Sequence, residues 1–151
     1  MIFYIDTEFN GFGGDLLTLA LVSENLSVPS LYLARDDINT DELEPWVKDN
    51  VYPIIDLPSA KPTMIPIENF GGRIAAYLKS QAPDGEITIV ADWPDDIRYL
   101  MMTLIAGPGM MVNLKQLDMC LRRCEPWPTK LLGQTQHNAL CDARALRALF
   151  Q

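Results

Sequence analysis

Acidic residues at three places in the sequence, together with its single histidine, have the types and spacing that metal-dependent chemistry needs. Asp6 and Glu8 come directly after an apolar run at residues 1–5. Because strand side chains alternate, both carboxylates project from one face, about 7 Å apart at roughly 3.3 Å per residue. Two like charges on a dry strand need a cation between them, and hard divalent cations prefer carboxylate oxygens. Asp6 and Glu8 therefore indicate a metal site, with an acidic, solvated turn as the alternative.

The second acidic position lies at the start of a predicted helix. Asp96 shares a face with Leu100 and Leu104, so it should point inward near the helix N-terminus, where the helix dipole favours an anion. Asp95 lies on the neighbouring stripe and remains an alternative to Asp96. Asp92 is interpreted as a cap or a polar contact at the end of the preceding strand. For all three, a helix start that merely carries acidic residues is the other interpretation.

A third acid lies on the apolar stripe of the predicted last helix, at residues 138–150. Asp142 shares this stripe with Leu146 and Leu149, and its face carries no lysine or arginine at helical spacing. His137 lies at the mouth of the same helix. Neutral imidazole is the side chain best suited to accept a proton near pH 7, so His137 is a candidate general base. A packed or exposed histidine without a catalytic role is the alternative.

The elements that must position these residues predict an α/β fold. The predicted strands are the apolar run at residues 1–5, which ends in the two carboxylates, and residues 16–22, 31–34, 86–91 and 110–112. The predicted helices are residues 40–50, 67–79, 94–106, 114–124 and 138–150. Residues 53–66 hold four prolines and are predicted to form a loop. The first strand is apolar on both faces, so it should lie in the middle of the sheet. Three antiparallel N-terminal strands, followed by alternating strands and helices, predict a mixed sheet with helices packed on it.

The composition predicts an ordinary globular chain, with 48% hydrophobic and 21% charged residues among 151. At this length we expect one domain covering residues 1–151. No apolar run of about 18 residues is present, and the N-terminus lacks the basic region of a signal peptide, so we expect a cytoplasmic protein without membrane partners. Without a C-x-x-C pair, the three cysteines are interpreted as buried thiols rather than as a zinc site. The net charge of −8 argues against generic attraction to long nucleic acids unless metals neutralise part of it.

Three short motifs together resemble the exonuclease motifs of the DEDDh superfamily. They are Asp-Thr-Glu-Phe at residues 6–9, an Asp followed by x-x-aromatic-Leu at residues 96–100, and His-Asn-Ala-Leu-Cys-Asp at residues 137–142. That superfamily includes proofreading subunits of replicative polymerases, ribonuclease T and oligoribonuclease. The short chain and the closing H-N-A-L-x-D-A-R-A-L pattern most resemble its small stand-alone 3′–5′ exoribonucleases. Many relatives carry asparagine four residues before the second-motif aspartate, where this chain has Asp92.

The resemblance implies a fold and a set of site residues. The fold would be ribonuclease-H-like, with a five-stranded mixed sheet. The implied ligands of two divalent metals, Mg²⁺ or Mn²⁺, are Asp6, Glu8, Asp96 and Asp142. His137 would take the proton of the attacking water, so His137 and Glu8 count as the catalytic residues. Two metals suit phosphodiester hydrolysis because together they activate the attacking water and stabilise the pentavalent phosphate.

The activity that the resemblance implies is a 3′–5′ exonuclease acting on single-stranded 3′ ends and releasing nucleoside 5′-monophosphates. RNA is favoured over DNA on the resemblance alone, and a DNA exonuclease is the first alternative. A non-catalytic nucleic-acid-binding module of the same fold is the second. Thr7, Phe9 and Phe12 are the predicted substrate-binding residues, with the two phenylalanines stacking on terminal bases or, alternatively, packing in the core. Dimers are usual among such relatives, so a homodimer is one expected state.

Overall fold

In the computed structural model, which describes residues 1–83, 85–125 and 127–151, strands and helices form an α/β fold. The strands are β1 (Ile2–Phe9), β2 (Leu16–Ser23), β3 (Leu31–Arg35), β4 (Thr63–Ile65), β5 (Glu86–Ala91), β6 (Ile105–Gly107), β7 (Met110–Met111) and β8 (Gln116–Leu121). The helices are α1 (Pro45–Asn50), α2 (Phe70–Gln81), α3 (Pro94–Thr103), α4 (Pro128–Leu132) and α5 (Ala139–Phe150), with 3₁₀ turns at Tyr52–Ile54 and Ile67–Asn69. Among the helices in these three ranges, none is long and apolar enough to cross a membrane.

The main sheet has six strands in the order β4-β3-β2-β1-β5-β8. The first three strands pair antiparallel, as predicted. The other three strands pair in parallel: β4 with β3, β5 with β1, and β8 with β5. The position of β1 between β2 and β5 confirms the predicted central strand. The predicted count of five strands is wrong, because two segments predicted as other structures each add a strand at one edge of the sheet, and one predicted strand lies outside it.

One of these segments is residues 114–124, predicted as a helix. Gln116–Leu121 instead forms β8, with Leu117 opposite Ile87 and Met119 opposite Ile89. Leu117 and Met119 both pack against the main core. They are two residues apart, which is the period expected of a strand. Short apolar runs fit either period, and here the parallel pairing with β5 decides between them.

The other segment lies in the predicted loop at residues 53–66. Thr63–Ile65 lies between two prolines and forms β4, a short strand at the sheet edge, where a missing proline N–H does little harm. A third correction concerns residues 110–112, predicted as a strand of the sheet. Met110–Met111 instead pairs with Ile105–Gly107 in a separate two-stranded ribbon.

The predicted helices at residues 67–79, 94–106 and 138–150 are confirmed as α2, α3 and α5, with small shifts of their ends. The helix predicted to begin at residue 40 begins instead at Pro45. Proline lacks an N–H and restricts the residue before it to extended backbone, so it fits the first position of a helix but not its interior.

The alternation along β1 decides which face receives the acids. Phe3 and Ile5 are fully buried in the main core with side chains of α2 and α3, such as Ile74 and Leu100. Tyr4 points to the other face and packs with Leu146 of α5. Residues 6 and 8 share the parity of Tyr4, so the two acids of β1 face α5.

Candidate active site

Five carboxylates meet where the carboxyl ends of the parallel strands β1 and β5 lie side by side. Asp6 and Glu8 lie on β1, and Asp92 follows β5 directly. Asp96 lies in the first turn of α3, and Asp142 lies in the first turn of α5. Two strands and two helices, separated widely in sequence, therefore deliver all the predicted acidic residues to one place, together with Asp92.

The carboxylates form two groups that share one residue. Oxygens of Asp6, Glu8 and Asp142 all lie within 4.8 Å of one another, and so do oxygens of Asp6, Asp92 and Asp96. Oxygen atoms at such spacing can ligate one divalent cation. Because Asp6 belongs to both groups, its carboxylate would contribute to each of two possible cation positions.

Two carboxylate oxygen atoms in this cluster lack a hydrogen-bond donor among the described residues. The Oδ2 atoms of Asp6 and Asp96 are buried and accept no hydrogen bond from the residues that the structure describes. Asp96 as a whole is only 2% exposed. A buried carboxylate oxygen without a partner is costly, and a proton or a cation removes that cost. The donor set consists of carboxylates alone, which suits the hard cations Mg²⁺ and Mn²⁺.

Burial and mutual repulsion raise the pKa values of Asp6, Glu8, Asp96 and Asp142. Burial, followed by the charges of Asp142 and Asp96, raises the pKa of both Asp6 and Glu8 well above the usual range. Burial likewise raises the pKa of Asp96 to about 8 and that of Asp142 to about 7. At neutral pH the folded protein therefore gains from anything that neutralises the cluster.

These raised pKa values predict that the metal-free protein loses stability as the pH rises. Asp96 titrates near 3.8 without its surroundings and at about 8 in the fold, so the folded state holds protons that the unfolded chain has already released. Stability then falls with pH through this window. We expect the melting temperature in EDTA to fall from pH 5 to pH 8, and millimolar Mg²⁺ to restore it most at pH 8. Thermal melts at several pH values, with and without Mg²⁺, check this. A profile that is flat in EDTA would contradict it.

Two hydrogen bonds from Thr7 fix the orientation of Asp96. The Thr7 N–H and Oγ1–H both donate to Asp96 Oδ1, at 2.9 and 2.6 Å. Asp95 turns outward instead, where it accepts bonds from Trp93 Nε1 at 3.0 Å and from Arg98 at 3.2 Å. The structure therefore places Asp96 in the cluster and Asp95 outside it. The predicted contact of Thr7 with substrate stays a prediction, since its hydroxyl is engaged with Asp96.

His137 lies beside the cluster in a left-handed backbone conformation, with φ of 64°. Its N–H donates to Asp142 Oδ2 at 2.9 Å, which ties the histidine to one of the acids. The next residue, Asn138, caps α5 by accepting from the Cys141 N–H and anchors the helix start by donating to the Ile54 carbonyl at 2.7 Å. Partial burial lowers the pKa of His137, so its imidazole is neutral and able to accept a proton at pH 7.

A cleft of about 570 Å³ opens over the carboxylates. Besides the predicted residues it is lined by Asp92, Trp93, Arg123, Cys124, Glu125, Trp127, Pro128, Thr129, Lys130 and Gln136. A second cleft of about 440 Å³ adjoins it and shares Glu8, Phe9, Trp93 and His137 with it. All five clustered carboxylates line the first cleft, Glu8 also lines the second, and His137 lines both.

The three tryptophans of the chain all line these clefts, and sequence reasoning missed them. Trp46, Trp93 and Trp127 are each about half exposed. The rings of Trp46 and Trp127 meet His137 edge-on, with centroids 5.0 and 5.5 Å away. Each tryptophan adjoins a proline at a helix start and lies off the apolar stripe. This position was the feature of the sequence from which their exposure could have been predicted.

The two predicted phenylalanines differ in their surroundings. Phe9 lines both clefts but also stacks on Tyr99 at 4.8 Å and packs against the main core. Phe12 is 96% exposed at the rim of the second cleft. Phe12 therefore has no packing role that would explain an aromatic side chain at that position.

Asp92 was interpreted as a cap or a polar contact, and the structure adds a further property. Its Oδ2 accepts from the thiol of Cys124 at 3.3 Å, so the polar contact exists. Its carboxylate also belongs to the second group, with Asp6 and Asp96. The signal for this was topological, because an acid at the carboxyl end of a parallel neighbour of β1 must lie near the acids of β1. The three cysteines are free, with Cys141 buried and Cys120 and Cys124 only half-buried.

Compared with models of known protein families and with curated proteins, the chain matches none of them.

Proposed function

We propose that this protein is a metal-dependent 3′–5′ exonuclease of the DEDDh type. The observation that carries the proposal is the pair of carboxylate groups that share Asp6, beside a neutral histidine in an open cleft. Phosphodiester hydrolysis by two divalent cations needs such a pair of neighbouring sites. The three antiparallel N-terminal strands and the parallel strands that follow also support the ribonuclease-H-like fold that goes with this activity.

The proposed metals are two Mg²⁺ or Mn²⁺ ions. Glu8 and Asp142 would complete one site with Asp6, and Asp92 and Asp96 would complete the other. When bound, the ions supply activation of the attacking water and charge stabilisation at the phosphate. Their binding would also offset the burial and the repulsion that raise the pKa of Asp6.

The remaining residues would perform the proton transfer and the positioning. His137 accepts the proton of the attacking water, and its lowered pKa keeps it in the neutral form that this step needs. The bond from the His137 N–H to Asp142 holds the histidine at a fixed place relative to the cluster. Thr7 holds Asp96 in the same way from the opposite face of β1.

The proposed substrate is the 3′ end of a single strand, with RNA favoured over DNA. Exposed aromatic rings around the clefts suit stacking of unpaired bases, which a duplex does not present. The net charge of −8 argues against long basic tracks that would hold a duplex. The product is a nucleoside 5′-monophosphate. A cytoplasmic location and a homodimeric state belong to the same proposal.

The test is digestion of RNA and DNA oligomers of one sequence, each labelled at the 5′ end. With Mg²⁺ or Mn²⁺ we expect a ladder that shortens from the 3′ end, release of nucleoside 5′-monophosphates, and faster digestion of RNA. EDTA should stop it. Faster digestion of DNA would favour a DNA exonuclease. Binding of the oligomers without any cleavage would leave only a non-catalytic nucleic-acid-binding module.

Phe12→Ala should weaken substrate binding without affecting the fold. Stacking on an aromatic side chain contributes about 1–3 kcal/mol per base, so KM should rise about 5- to 150-fold. Because Phe12 is 96% exposed, the melting temperature should stay the same. Leu26→Ala is a matched control, since Leu26 is also a large apolar side chain, 75% exposed, in the turn between β2 and β3. Steady-state kinetics on one RNA oligomer compare the three proteins, and equal KM values would remove Phe12 from the binding surface.

A further inference from the structure

Two positively charged side chains line the cleft over the carboxylates although the chain is strongly acidic. The chain has twelve lysines and arginines against twenty acids. Among the cleft-lining residues that the structure describes, Arg123 and Lys130 are the only lysine or arginine side chains. The second cleft is lined by Glu44 and Asp95 and, within the described part of the chain, by no lysine or arginine. The positive charge is thus confined to one side of the site.

Arg123 is held firmly at the cleft wall. Its guanidinium lies over the Trp93 ring, 4.7 Å from the ring centroid, and its Nη1–H donates to the Asp92 carbonyl oxygen at 3.2 Å. Its other contact is to the exposed Glu125 at 3.4 Å, which is a weak surface pair. A guanidinium has five N–H donors, so most of them remain available to a ligand.

Neither cation serves to neutralise the carboxylate cluster. The ion pairs among the described residues involve Asp15, Asp37, Asp41, Asp95 and Glu125, and none of the five clustered carboxylates is among them. Arg123 reaches the backbone of Asp92 and not its carboxylate. The guanidinium therefore lies beside the cluster without forming an ion pair with any of its carboxylates. A planar guanidinium with spare donors in a cleft is a typical phosphate ligand.

We propose that Arg123 and Lys130 bind the phosphate one nucleotide upstream of the bond that is cleaved. This inference rests on the proposed exonuclease function. The scissile phosphate belongs at the carboxylates, and the terminal base suits the aromatic second cleft, where a cation is missing from the described lining. The strand then leaves through the first cleft, past Trp93 and Arg123. The site consequently binds two consecutive phosphates and favours substrates that carry the upstream one.

Neutral methylphosphonate linkages test this directly. The substrates are RNA oligomers with an unmodified terminal linkage and a methylphosphonate at either the second or the third linkage from the 3′ end. The readout is the initial release of the 3′-terminal nucleotide. A charge-assisted phosphate contact is worth about tenfold in kcat/KM, so the second-linkage substitution should slow release about tenfold. The third-linkage substitution should match the unmodified oligomer.

Variants assign the effect to the two side chains. In the double variant Arg123→Gln, Lys130→Gln, the second-linkage penalty should disappear, whereas Lys79→Gln, an exposed lysine on α2 outside the cleft, should retain it. Equal penalties at both linkages in the parent, or a full penalty in the double variant, overturn the inference and leave the exonuclease function standing. No release from the unmodified oligomer by the parent overturns the exonuclease function, and the inference with it. The comparison of linkages in the parent depends on no variant's folding.

Discussion

Asp6→Asn should abolish nucleotide release and should, at the same time, make the metal-free protein more stable. Asp6 is the residue common to both carboxylate groups, so its loss removes a ligand from both proposed metal sites. We expect kcat/KM to fall by more than about 10³-fold, because charge stabilisation at the phosphate depends on both ions. An asparagine carries no charge, so it avoids both the burial of a charge and the repulsion by Asp142 and Asp96 that raise the pKa of Asp6.

Thermal melts with Mg²⁺ and with EDTA distinguish the loss of metal binding from the change in stability of the metal-free protein. For the parent, Mg²⁺ at about 100 times its Kd stabilises the folded state by about 2.7 kcal/mol, which is about 5–10 °C for a chain of this size. Asp6→Asn should lose most of this shift, yet melt above the parent in EDTA at pH 8. A variant that melts below the parent in EDTA would indicate that Asp6 is structural and not part of a strained anionic site.

Asp95 and Asp96 provide the matched control for this prediction. Asp96→Asn should resemble Asp6→Asn, since Asp96 is buried in the second group with an unpartnered Oδ2. Asp95→Asn changes the adjacent residue in the same way but removes only contacts to Trp93 and Arg98 outside the cluster. Asp95 also lines the second cleft, so the comparison uses kcat at saturating substrate, which we expect to stay within about threefold of the parent. The reverse order of effects would show that the second-motif ligand is Asp95.

The sequence was sufficient for the parts of the site that local periodicity encodes. The alternation along β1 placed Asp6 and Glu8 on one face, and the helical spacing of Asp96 with Leu100 pointed Asp96 inward. Both are properties of a single element and need no knowledge of its neighbours. The resemblance to exonuclease motifs supplied the idea that these elements meet, which no single-element pattern contains.

The parts that could not be predicted depend on pairing between distant segments. Residues 116–121 became a strand because β5 was available beside them, and short apolar runs do not reveal that. The role of Asp92 required the knowledge that β5 lies parallel to β1. Arg123 falls within the helix predicted at residues 114–124, whereas it lies just beyond the end of β8, against the Trp93 ring. Tertiary context decided each of these three cases.

His137→Asn should abolish most turnover while leaving the fold and the metal sites intact. A general base contributes about 10²- to 10⁴-fold to rate, and asparagine cannot accept a proton at neutral pH. Asparagine is chosen because it tolerates the left-handed backbone, with φ of 64°, that His137 adopts. We expect kcat to fall at least 10²-fold, with the Mg²⁺-induced rise in melting temperature retained.

A comparison with His137→Ala separates the imidazole from the backbone. Alanine is strained where φ is positive, so His137→Ala should melt below His137→Asn although both lack the base. If turnover depends on the imidazole, both variants lose activity equally. If it depends only on the position of the backbone N–H that donates to Asp142, the asparagine variant keeps most of its activity.

The pH dependence of kcat provides an independent readout of the same residue. Partial burial lowers the pKa of His137 below its ordinary 6.5, so the neutral base persists to lower pH than for an exposed histidine. With Mg²⁺ saturating at every pH, the parent should lose activity only as the pH falls below 6.5, through this lowered pKa. His137→Asn should lose that acid limb, because the group that titrates is gone. An acid limb that persists unchanged in His137→Asn, at saturating metal, would assign it to a carboxylate and exclude His137 as the base.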